Sequence, residues 1–173
     1  MPYHCRLQTK AMFDKDLLLA IGNHFKKGGV SISIAESVTS GLLQCAFSNI
    51  PDASTFYQGG ITAYNVGQKA RHLLVDPVHA LSCDSVSDKL AQDLARNVCN
   101  LFTSNYGIGI VGYAARMPEK QINSLYAYYA ISFEGEILKS GKLTTDVEEG
   151  FPAQKFYTDS TLQNLLSVLE SKK

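Results

Sequence analysis

The stretch Ser31-Ile32-Ser33-Ile34-Ala35-Glu36-Ser37-Val38-Thr39-Ser40-Gly41 constrains this chain more than any other. The alternation from Val30 to Ile34 predicts a buried strand. A polar cluster from Glu36 to Gly41 follows at once, and Leu42-Leu43-Gln44-Cys45-Ala46-Phe47 then opens a helix. A strand that ends in hydroxyls beside a helix start aims side-chain oxygens and backbone N–H groups at one spot. Such helix N-termini attract anions and polar ligands. An active site in this chain is expected at that corner.

At 173 residues the chain has the length of one domain with a proper core. Sixteen basic and sixteen acidic residues cancel, so no basic field points to nucleic acid. No apolar run approaches the ~20 residues needed to cross a bilayer. The start, Met1-Pro2-Tyr3-His4-Cys5-Arg6, has no apolar core of a signal peptide, so the expected location is cytoplasmic. Cys5, Cys45, Cys83 and Cys99 are too widely spaced for a structural zinc and read as buried reduced thiols.

Residues 1–10 read as a loosely held arm and 11–173 as the domain. Helical spacing of Phe13, Leu17, Leu18, Ile21 and Phe25 predicts a helix over 12–27, stopped by Gly28-Gly29. After the strand at 30–35 and the helix at 40–48, Asn49 to Ser54 is a turn cluster. Thr55 to Tyr64 reads as a strand in which Gly59-Gly60 signals a bulge or a close backbone approach. A short helix is expected over 67–74, a turn at Asp76-Pro77, and a long helix from the Ser85–Asp88 capping cluster to Phe102. Tyr106 to Val111 forms a strand, and Glu134-Gly135 joins strands 125–133 and 136–143 as a hairpin. A last helix is expected over 159–170. The order predicts an α/β fold: a three-layer α/β/α domain with a mixed sheet.

Three clusters could carry chemistry. Ser37 is a nucleophile only if a base removes its proton, and a lysine of lowered pKa can be that base. Tyr64 and Lys69 follow the glycine-broken strand, with Lys69 as a base or a phosphate-binding cation. Gly112 to Pro118 is a strand-end loop of the kind that lines α/β clefts. The same residues also read without chemistry: Ser37, Thr39 and Ser40 as helix caps, Lys69 as a surface lysine, and Tyr64 as a half-buried strand tyrosine.

The order Ala35-Glu36-Ser37-Val38-Thr39-Ser40-Gly41, then Gly59-Gly60-Ile61-Thr62-Ala63-Tyr64-Asn65-Val66-Gly67-Gln68-Lys69, then Leu73-Leu74-Val75, then Val86-Ser87, resembles the C-terminal domain of the CinA family. There the pieces run A-E-S-C-T-G-G, G-G-x-x-x-Y-x-x-x-x-K, L-L-G-V and V-S, and the match spans about residues 12–111. The resemblance implies a three-layer α/β/α domain. In active members it implies a nicotinamide-nucleotide amidase, turning nicotinamide mononucleotide (NMN) and water into nicotinate mononucleotide and ammonia. Carried over by position, Ser37 is the nucleophile, with Tyr64 and Lys69 activating it. Glu36, Thr39, Ser40, Gly41, Gly60 and Gly112 would hold the substrate. No metal or cofactor is implied. An NMN-like nucleotide is the implied partner, self-association is an expectation of the family, and the chain corresponds to its stand-alone form.

The chain departs from the pattern at definite places. Val38 stands for the cysteine and Ser40 for a glycine. The family's T-G-x-A-G-P loop aligns with Gly112-Tyr113-Ala114-Ala115-Arg116-Met117, so large side chains at 113 and 116 are expected to crowd a ligand. The family's late arginine has no counterpart, since no arginine follows Arg116. Arg116 itself is the remaining candidate for that role. Two readings stay open on these residues: an amidase, and a non-catalytic relative acting as a nucleotide-binding or protein-interaction module.

Overall fold

The computed structural model describes residues 11–171, so the arm expected over 1–10 lies outside the described residues. Five strands form one mixed sheet in the order β2-β1-β3-β4-β5. β1 (Ile32–Glu36) lies between β2 (Tyr57–Thr62) and β3 (Tyr106–Tyr113), parallel to both. β4 (Leu125–Phe133) and β5 (Glu136–Thr145) complete the sheet as an antiparallel hairpin. Its turn places Glu134 at φ 49° and Gly135 at φ 86°, the two left-handed positions of a primed turn.

Alternation along the strands sorts the chain into two cores. Ile32, Ile34, Ile108 and Ile110 face α1 (Lys15–Gly28), α2 (Leu42–Ser48) and α6 (Phe151–Ser171). Ala35, Val111 and Ala130 face the other layer: α3 (Val66–Leu73), α4 (Pro77–Ser82) and α5 (Asp88–Phe102). The three-layer α/β/α expectation therefore holds. Gly107 and Gly109 let α5 lie directly on β3. A Cβ at Gly109 would stand 2.1 Å from the Ala91 carbonyl oxygen, and one at Gly107 2.0 Å from that of Ala95. The Gly59-Gly60 signal also holds: the β1–β2 register shifts beside it, and a Cβ on Gly60 would meet the Ile34 carbonyl oxygen at 2.7 Å.

Four expectations need correction. Asp76-Pro77 starts a helix rather than a turn, because the Asp76 carboxylate accepts from Val78 N–H and proline is pre-set for the first helical turn. α6 begins at Phe151, well before residue 159. Pro152 does not block it, since a first-turn residue needs no N–H partner. β3 and β5 outrun their predicted ends, to Tyr113 and Thr145, because the antiparallel pairs of β4 carry them on. Of the described cysteines only Cys99 is buried; Cys45 lies on the solvent side of α2 and Cys83 is partly exposed. No helix among the described residues is long and apolar enough to cross a membrane.

Candidate active site

β1 and β3 are neighbours, yet the chain leaves their C-terminal ends in opposite directions, to α2 and β2 on one side and to β4 on the other. Such a switch point opens a crevice beyond the strand ends. A cavity of about 450 Å³ lies there, lined by Ser37 and Val38 after β1, Tyr64 and Lys69 around α3, Asp84 to Val86 before α5, Gly112 to Ala115 at the end of β3 and just past it, and Gln154 of α6.

Ser37 sits just past the last β1 residue, where its N–H donates to the Ile110 carbonyl at 3.1 Å and so continues the strand ladder by one bond. The Ser40 N–H then bonds back to the Ser37 carbonyl at 3.2 Å, closing a turn that holds the Ser37 side chain, 9% exposed, at the cavity wall. Lys69 reaches the same point from α3. The Asn65 side chain caps that helix by accepting from Gln68 N–H at 2.9 Å. Lys69 then falls four residues before Leu73 on the one inward face. It is 1% exposed, and its Nζ donates to Ser37 Oγ at 3.3 Å and to the Tyr64 carbonyl at 2.9 Å. No carboxylate pairs with it among the described residues. Burial therefore acts unopposed and pushes its pKa down from 10.5 to about 8.

The remaining expected site residues divide. Gly112 lines the cavity. Tyr64 does too, but its side chain is 74% exposed and the group that meets Lys69 is its backbone carbonyl, not its hydroxyl. It is therefore not the half-buried strand tyrosine of the alternative reading, because β2 ends at Thr62. Glu36, Thr39 and Gly60 do not line the cavity. The buried Glu36 carboxylate accepts from Leu43 N–H at 3.2 Å, Gln44 N–H at 3.2 Å, the Gln44 side chain at 2.8 Å and the Thr39 hydroxyl. It thus caps α2 from the preceding strand, and the helix N-terminus expected to receive a ligand anion already holds one. The capping role expected of Ser37, Thr39 or Ser40 is overturned for this reason: the N-cap is Gly41, with no side chain to bond, and Ser40 is exposed at φ 51°. Gly60 faces Gln44 and the Ile34 carbonyl instead.

Arg116 also lies outside the lining and pairs with Glu149 at 3.1 Å. Tyr113 narrows the wall without closing it. Its hydroxyl donates to Asp84 at 3.2 Å, and its carbonyl accepts from the buried Tyr157 hydroxyl at 3.0 Å. The sequence reading missed Asp84 and Gln154. Local signals mark the elements beside them, aspartate before proline at the start of α4 and the left-handed Gly150 ahead of α6, but not that either side chain reaches the crevice.

Comparison with known proteins gives one family. The profile of the CinA C-terminal domain matches residues 14–142. A competence-damage inducible protein of Natranaerobius thermophilus is 30% identical over 142 residues, 79% of this chain and 34% of that protein. A CinA-like protein of Amoebophilus asiaticus is 35% identical over 103 residues, 58% of this chain and 25% of that one. The chain thus spans about a third or less of the length of these curated relatives. Among solved structures, a CinA superfamily protein from Klebsiella pneumoniae aligns with TM-score 0.85 at 20% identity, over 94% of this chain and 99% of that chain. A competence or damage-inducible protein from Enterobacter asburiae gives 0.83 at 20% identity, over 93% and 99%. The solved structures share the fold.

Proposed function

The chain belongs to the CinA C-terminal domain family, and on that premise we propose that it is a serine–lysine amidohydrolase that releases ammonia from the carboxamide of a small pyridine nucleotide or nucleoside. The observation that carries this reading is Lys69: buried, without a carboxylate partner, lowered to about 8, and 3.3 Å from Ser37 Oγ. At pH 7 about one Lys69 in ten is then neutral, against roughly one in three thousand for a lysine in water. A neutral amine still donates to the Tyr64 carbonyl and offers its lone pair to the Ser37 hydroxyl, which reverses the direction of the Ser37–Lys69 hydrogen bond.

Ser37 Oγ attacks the carboxamide carbon while its proton passes to Lys69 Nζ. The donor we assign to the oxyanion that forms is the N–H of Val38, the residue after the nucleophile, which has no hydrogen-bond partner among the described residues. Collapse breaks the C–N bond, Lys69 returns the proton, and ammonia leaves. Water then attacks the acyl-serine ester, giving its proton to Lys69, and the carboxylic acid departs as Ser37 regains its hydrogen.

Ammonia release from NMN and from its phosphate-free riboside tests this. Ser37→Ala is expected to lower kcat/KM by about 10³-fold or more. For the wild type, log kcat/KM is expected to climb with unit slope and level off above a bend near pH 8, since only the neutral amine is competent. Turnover that survives Ser37→Ala, or a rate flat from pH 6 to 8, would remove this pair from the chemistry. Saturable binding without ammonia would leave the cavity as a binding module.

A further inference from the structure

We propose that the cavity is built for a carboxamide substrate without a phosphate, one that is neutral or cationic. This rests on the hydrolase reading above and narrows its substrate. Besides Tyr64 and Tyr113, the described lining carries two ionisable side chains, Lys69 and Asp84. The lysine is committed to Ser37 and the Tyr64 carbonyl, and a base that works in its neutral form cannot also serve a phosphate as a fixed cation. The other, Asp84, is a carboxylate already held by Lys120 and by the Tyr113 hydroxyl, so the described wall offers a phosphate no unmatched cation.

Among the described residues two further cations stand near the rim, and each is already matched. Lys120 Nζ bonds both Asp84 oxygens at 3.3 and 3.1 Å, and Arg116 pairs with Glu149 at 3.1 Å. A phosphate reaching either would meet the carboxylate first. Of the helix N-termini, the other common anion sites, those of α2, α3 and α5 are already capped. Glu36 fills that of α2, Asn65 caps α3, and Ser87 caps α5 with Asp88 next in sequence. At α6, Pro152 contributes no N–H and Glu149 precedes Gly150. Most of the remaining wall is apolar, including Val38, Val86, Ala114, Ala115 and Met117. A phosphate dianion there would give up part of its hydration without an unmatched cation among the described residues to replace it. A neutral or cationic ring would instead find the tyrosines of the wall, Tyr64 and Tyr113.

The test is calorimetric titration of the Ser37→Ala protein, which cannot consume its ligand, with nicotinamide riboside, NMN and inorganic phosphate at about 0.15 M salt. The riboside is expected to bind at least about tenfold more tightly than NMN, and Asp84→Asn to narrow that gap. Inorganic phosphate is expected not to compete with the riboside. Equal or tighter binding of NMN, competition by phosphate, or no riboside binding at millimolar concentration would overturn the proposal. Initial rates on the wild type provide the second arm. Faster ammonia release from NMN than from the riboside would sink the charge preference and leave the hydrolase standing. Riboside binding without ammonia release would sink the hydrolase and leave the charge preference.

Discussion

Replacing Lys69 with methionine keeps the length and flexibility of the side chain and removes its charge. Burial lowers the lysine from 10.5 to about 8. At 1.36 kcal/mol per pH unit the charged amine costs the folded state about 3 kcal/mol wherever it is protonated in both states, below about pH 8. That figure is a ceiling, because the amine borders an open cavity that admits water. Methionine relieves the cost but leaves the Tyr64 carbonyl without its donor, a loss of about 1–3 kcal/mol that does not vary with pH. The two effects nearly cancel at pH 7, so the informative quantity is the pH dependence. The folded pKa lies below the unfolded one, so the unfolded chain holds more protons between pH 8 and 10.5. Wild-type stability must therefore rise with pH across that window. Between pH 7 and 9.5 the wild type is expected to gain about 2 kcal/mol relative to Lys69→Met. Urea midpoints of both proteins at the two pH values measure this, and with a slope near 2 kcal/mol/M the midpoint difference moves by about 1 M. Titrating tyrosines contribute equally to both proteins and drop out. A difference constant to within about 0.5 kcal/mol would show that Lys69 is not held toward its neutral form, and the serine–lysine chemistry would lose its physical basis.

Two further substitutions probe the frame that holds the site. Glu36→Gln replaces one carboxylate oxygen with an NH₂, so either the Leu43 or the Gln44 N–H loses its acceptor, and is expected to cost about 1–3 kcal/mol, read from the urea midpoint; an unchanged midpoint would mean that water caps α2 equally well. Gly109→Ala drives a Cβ to 2.1 Å from the Ala91 carbonyl oxygen on α5 and is expected to cost about 3 kcal/mol. Gly141→Ala on the edge strand meets only the Tyr129 ring, at 3.3 Å, and is expected to stay within about 1 kcal/mol, so equal losses at the two glycines would contradict the close α5–β3 contact.

Much of this frame is legible in the sequence, because periodicity and capping depend on near neighbours along the chain. The Val30–Ile34 alternation, the inward stripe of α5 and the Glu134-Gly135 turn each specify their element locally. Periodicity leaves Lys69 open between a base and a surface lysine; the Asn65 cap and the inward Leu73 show in the structure why it points inward. Linked motif spacing then brought Ser37 and Lys69 into one reading, and the chain folds them to 3.3 Å.

The partners of the charges, by contrast, are set by the fold. Nothing local says that Glu36 turns back to cap α2, that Arg116 leaves the cavity for Glu149, or that Asp84 comes to the rim on a helix begun by Asp76-Pro77. A side chain's burial and periodicity follow from its own element, but its charge is neutralised by whichever residue the topology brings beside it. The corner from β1 to α2 shows both halves of that rule. Its sequence specified a strand, a turn and a serine at the crevice, while the fold filled the helix N-terminus with the chain's own carboxylate and left the serine to a buried amine.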